Sequence, residues 1–107
     1  MSTTKEYLDY VMENLPEECR SRAMMGEYLV YYMDKLIGGI YDNRLLLKPV
    51  NAVKEFLPDA PYELPYEGAK LMPMVENIDD RELLGRLIEA MYDELPAPKP
   101  KKTKKQY

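Results

Sequence analysis

Between Arg22 and Lys48 the apolar positions fall into three runs, the first rich in Tyr, separated by Met33-Asp34-Lys35 and by Tyr41-Asp42-Asn43. Short apolar runs broken by Asp and Asn predict a three-stranded antiparallel meander. Helical spacing flanks it on both sides. Thr3 and Glu6 have the spacing of a capping box, and Leu8, Val11, Met12 and Leu15 then form one stripe that Pro16 ends. Glu17 to Ser21 reads as a polar link. After Lys48, Pro49 opens a short helix with Val50, Val53, Phe56 and Leu57 on one face, closed by Pro58 and Pro61.

Tyr62-Glu63-Leu64 and the stretch from Lys70 to Val75 predict two further strands around Pro65, Tyr66 and Gly68. Pro73 lacks an amide donor, so its strand belongs at an edge or at a bulge. Asp79 with Glu82 repeats the capping logic, and Leu84, Leu87, Ile88, Met91 and Leu95 give a long amphipathic helix that Pro96, Pro98 and Pro100 stop. The predicted order is α-β-β-β-α-β-β-α. It describes a two-layer α+β domain over residues 1–96, with helices packed on an antiparallel sheet, and a Lys/Pro-rich tail over 97–107 expected to be disordered.

Strands with one wet face alternate apolar and polar residues, and this meander does not. Tyr28, Val30 and Tyr32 point one way and Leu29, Tyr31 and Met33 the other; Leu36 and Ile40 likewise oppose Ile37 and Tyr41. The amphipathic helices can cover one face. On the other, tyrosines either snorkel or form a partner or ligand surface. Gly38-Gly39 in the middle strand permits a bulge or a close approach by another element.

Composition then removes whole classes of chemistry. The 107 residues hold one cysteine, Cys19, and no histidine. That leaves no intrachain disulfide, no CxxC site, no Ser-His or Cys-His pair and no histidine metal site. No apolar run is long enough for a membrane span, and the N-terminal residues lack a signal-peptide core, so a cytoplasmic chain is expected. The net charge of −4 is unevenly distributed. Lys99, Lys101, Lys102, Lys104 and Lys105 lie in the tail, leaving ten of the fifteen basic groups against all nineteen acidic ones in residues 1–98, a net of −9. Such a body repels phosphate backbones, whereas the lysines of the tail suit weak contact with nucleic acid or an acidic partner.

Candidate reactive groups are few. Glu17-Glu18 and Asp79-Asp80 are sequence neighbours that do not face each other on a helix. Arg22, Arg44 and Lys48 would bind an anion if they gathered at one end of the meander; otherwise they form surface salt bridges with the many acids. Tyr31 or Tyr32 would need a nearby cation to act as a reactive phenol, and Cys19 has only Arg20 beside it to activate it. The eight methionines, among them Met24, Met25, Met33, Met72 and Met74 on predicted strands, suit a core or a soft contact surface.

Several of these residues carry a family resemblance. Arg22-Ala23-Met24-Met25-Gly26-Glu27, the strand tyrosine Tyr31, and Leu45-Leu46-Leu47-Lys48 resemble the N-terminal domain of TfoX, a regulator of natural competence in bacteria. Gly68, Met72-Pro73-Met74 and Asp80-Arg81-Glu82-Leu83-Leu84 are similar to its downstream elements. The resemblance covers residues 3–95. Met25 and Met74 stand where the family has aromatics, and Glu27 where it has a second glycine. It implies a helix-covered antiparallel sheet similar to the secretion-chaperone fold, in a stand-alone version without the C-terminal helical domain of full-length members. It also implies action through protein contacts, without catalysis or cofactor. The expected function is a homodimeric or partner-binding regulatory domain whose surface includes Arg22, Met25, Tyr28, Tyr31, Tyr32 and Arg44. The alternative is a small-molecule or anion-binding module, or an enzyme, using a Tyr-lined sheet face with Arg22 and Arg44.

Overall fold

The computed structural model describes residues 2–96. The tail lysines lie outside them. Helix α1 spans Lys5–Asn14 and buries Leu8 and Val11. Its cap is Thr4, whose Oγ1 accepts from the Tyr7 N–H at 3.1 Å. The expected cap, Thr3, is diverted to another task. Its N–H donates to Gly26 O at 3.1 Å, while its buried hydroxyl donates to Glu27 Oε1 at 2.8 Å and accepts from the Asn43 N–H at 3.2 Å. Helix α3, Arg81–Tyr92, shows the same one-residue shift: Asp80 rather than Asp79 is its cap, accepting from the Leu83 N–H at 3.1 Å.

The sheet has four strands ahead of the second helix where three apolar runs suggest three. They are β1 (Cys19–Met24), β2 (Glu27–Tyr32), β3 (Lys35–Ile40) and β4 (Leu45–Leu47), antiparallel and in that spatial order. The additional strand comes from a hairpin turn hidden inside the first run. Met25 and Gly26 adopt φ of +50° and +90°, the left-handed pair of a two-residue turn. The chain therefore reverses at Met25-Gly26, and β1 draws Cys19 to Ser21 out of the polar link. Met33-Asp34 and Asp42-Asn43 reverse it at the expected breaks, also with positive φ. Met25 and Met33 thus stand in turns, not on strands.

A bulge between Val30 and Tyr31 changes the faces of β3. The one-residue slip puts Ile37 and Ile40 together in the core cluster with Val30, Leu45 and Leu47. Leu36, paired with Tyr31, moves to the outer face with Tyr41. The expected grouping of Leu36 with Ile40 and Ile37 with Tyr41 is corrected accordingly. Over the inner face lie α1, the short helix α2 (Asn51–Phe56) and α3, contributing Leu8, Val11, Ala52, Val53, Leu84, Leu87, Ile88 and Met91 to one cluster.

Two polar contacts lock the helices. α2 has no side-chain cap of its own; instead the Glu94 carboxylate accepts from the Asn51 and Ala52 N–H groups at 3.0 and 2.8 Å, placing negative charge at a helix N-terminus. Lys35 Nζ donates to Tyr92 O at 2.8 Å and lies 3.9 Å from the centre of the Tyr92 ring, closing the C-terminal end of α3. The last strand pair, β5 (Tyr62–Glu63) and β6 (Met72–Pro73), pairs over only two residues. Beyond it, Met74 bridges to Leu46 and the Val75 N–H donates to Leu45 O at 2.9 Å, so this segment seals the β4 edge. No helix among the described residues is long and apolar enough to cross a membrane.

Candidate functional site

The outer face of the sheet is partly filled by the chain itself. Gly39 leaves a gap that the Tyr41 ring occupies: a Cβ at Gly39 would stand 2.6 Å from the ring. Tyr41 is thereby buried, with Tyr66 tilted against it at 5.9 Å between ring centres. Beside this pair opens an apolar groove of about 320 Å³ lined by Met24, Met25, Glu27, Tyr41 and Tyr66. An adjoining cleft of about 520 Å³ shares Glu27 and Tyr66 and adds Asp42, Arg44, Leu64, Pro65 and Glu67. The groove therefore lies at the Met25-Gly26 hairpin end, and its charged rim is acidic.

Glu27 holds this end together, its Oε1 accepting from both the Thr3 hydroxyl and the Asp42 N–H. Arg44 is wholly engaged. Its Nε donates to Tyr41 O at 3.0 Å, Nη1 to Glu63 Oε1 at 2.7 Å and Nη2 to Leu64 O at 3.0 Å, binding the β3–β4 turn to the loop that carries Tyr66. Arg44→Met should cost about 2 kcal/mol, because charge-assisted bonds to a half-buried guanidinium are lost and two carbonyls lose a donor. Urea denaturation measures that loss. Hydrogen exchange should rise first at Leu64 and Tyr66.

The residues expected to form one surface are divided by the sheet. Tyr28 and Tyr32 face inward and pack on the core cluster. Tyr31 faces outward, opposite Arg20, and Arg22 stands opposite Leu29 on the same face. Met25 sits at the hairpin tip, 98% exposed. Arg22 and Arg44 do not converge: Arg22 lies three strands from β4, about 14 Å at the usual strand spacing. Sequence reasoning missed Tyr41 and Tyr66 as groove residues and Leu64 as a residue of the adjoining cleft. The one sequence cue was Gly39, since a glycine on a sheet face invites an aromatic ring.

The groups shifted among the described residues all move away from their ionised forms. Burial, then the neighbouring Tyr66, Glu27 and Tyr31, raises the Tyr41 phenol above its ordinary value. Burial and the Glu18 carboxylate push the Cys19 thiol up to about 12, the opposite of activation. Burial likewise raises Tyr7 and Tyr32. Among the described residues no three Cys, Asp or Glu side chains gather as metal ligands.

The chain is 35% identical over 107 residues to the "uncharacterized 12.7 kDa protein in trpE 5'region" of Spirochaeta aurantia, a match spanning 97% of this chain and 93% of that protein. The chain belongs to the family of that protein. No family model matches the sequence, and no solved structure matches it.

Proposed function

We propose that this chain is a protein-interaction domain of the TfoX N-terminal kind, acting without catalysis as a regulator of transcription or competence through a protein partner or a second copy of itself. The observation that carries this reading is Met25. A methionine held at φ +50° incurs the steric cost of the left-handed region, of order 1 kcal/mol, which Asn or Gly would largely avoid. At 98% exposure it recovers nothing from burial. A strained apolar side chain at the lip of an apolar groove gains its burial from another molecule.

Light scattering across a wide concentration range tests this. The wild-type chain is expected to dimerise through the groove. Met25→Asn should weaken the dimer by at least tenfold while leaving the fold equally or more stable, since Asn tolerates the left-handed turn. Tyr66→Ser should weaken it as well. A strict monomer at all concentrations would remove the self-association reading. Unchanged association in both variants would remove the groove.

A further inference from the structure

The sheet has one sealed edge and one open edge. Met74 and Val75 close β4, but β1 is terminal on the other side. The two-residue turn at Met25-Gly26 makes Met24 and Glu27 a hydrogen-bonded pair, so Arg20, Arg22 and Met24 turn their backbone groups toward β2. Those of Ser21 and Ala23 point outward. Cys19 follows the same alternation, its N–H donating to Pro16 O at 2.9 Å. Arg20 to Ala23 are all exposed, so no described element covers this edge. β1 also lacks a proline, and its six-residue pairing with β2 runs without a bulge, so the usual means of blunting an edge by shape are missing.

The charge on this edge selects its occupant. Arg20 and Arg22 stand two residues apart on the outer face, and neither forms an ion pair among the described residues. They form a cationic strip on a body whose net charge is −9. A second β1 strand would set arginine against arginine, and the lysine-rich tail carries the same sign; both are repelled. Ser21 and Ala23, on the opposite face, are small and leave room for an added strand.

We infer that β1 takes up an extended acidic peptide as a fifth, antiparallel strand. In that orientation the N-terminal end of the ligand lies beside Met24. The fitting pattern is therefore an apolar residue followed by carboxylates two and four positions later, over Arg22 and then Arg20. Backbone bonds from the two intervening residues to Ala23 and Ser21 hold the strand, and the paired charges set its register. This rests on the reading of the chain as an interaction domain, and it uses a surface other than the groove.

Fluorescence anisotropy with a labelled Thr-Leu-Thr-Glu-Thr-Glu-Thr peptide tests it. Saturable binding is expected, with a Lys-for-Glu peptide at least tenfold weaker. The Arg20→Glu/Arg22→Glu double variant should reverse that preference. N-methylation of the two threonines that follow the leucine and the first glutamate blocks the amides facing β1, and should weaken binding at least tenfold without altering the protein. Absence of saturable binding overturns the inference. So does binding indifferent to N-methylation, which would be charge attraction alone, or a double variant that aggregates without reversing its preference, which would make the arginines guards against edge pairing. If the peptide fails while the chain still dimerises through the groove, the edge falls and the interaction-domain reading stands.

Discussion

Gly38→Ala is expected to cost about 3 kcal/mol or more, the largest effect of an alanine at any of the five glycines. A Cβ at Gly38 would lie 2.1 Å from Leu46 O and 2.8 Å from Leu47 Cα. Both are backbone atoms of β4, which is held on its far side by Met74 and Val75. Neither can yield without breaking the β3–β4 pairing, and Ile37, Ile40, Leu45 and Leu47 beneath it are fully buried. Small domains have a total stability of only about 5–15 kcal/mol, so the variant should lose a large share of it. The paired control is Gly85→Ala in α3, where an added Cβ meets nothing within 4 Å. It should gain about 0.5–1 kcal/mol from helix propensity alone. Urea midpoints for the two variants are expected to move in opposite directions; a Gly38→Ala protein as stable as wild type would contradict the close β3–β4 approach.

Alkaline pH is expected to give the second large effect. The Cys19 thiol is raised from its ordinary value near 9 to about 12 by burial and by Glu18. The folded chain therefore holds its proton more tightly than the unfolded chain. That contribution is intact below pH 9 and is lost as pH rises from 9 toward 12, at up to about 1.4 kcal/mol per pH unit. The raised phenols of Tyr7, Tyr32 and Tyr41 act in the same direction at higher pH. Stability measured by urea denaturation from pH 8 to 11 should fall, and Cys19→Ala should show a shallower fall despite starting less stable. Parallel slopes for the two proteins would mean that the thiol is solvated in the folded state.

Much of the architecture was legible because helical and turn signals are local. The stripe of Leu84, Leu87, Ile88 and Met91 predicts α3 and its buried face, and Asp42-Asn43 predicts a reversal that occurs there. What failed locally failed for definite reasons. Thr3 has the spacing of a cap, yet Thr4 serves, because Thr3 is held by Gly26, Glu27 and Asn43 from two different turns. The Met25-Gly26 turn was hidden because an apolar residue occupies the position where Asn or Asp would have announced it.

The candidate site was less legible than the fold. Strand alternation already separates Tyr31 from Tyr28 and Tyr32, but only the packing of the helices decides that the side bearing Tyr28 and Tyr32 faces the core. Arg44 reads in sequence either as an anion ligand or as an ion-pair partner for the many acids, and through Glu63 and Leu64 O it proves to be a staple for the loop bearing Leu64 and Tyr66. Those two residues line the cleft, and Tyr66 the groove as well, through contacts 20 or more positions distant in sequence, which no local pattern encodes.

The sequence by itself determined the α+β class, the helical faces, the absence of histidine chemistry and the acidic charge of the body, because these depend on residue type and short-range period. Among the described residues, tertiary structure alone decided which sheet edge stays open, which face each β3 residue takes after the bulge, and which arginines form no ion pair. Those outcomes follow from hydrogen-bond register and packing between distant segments, where a one-residue slip exchanges inside for outside.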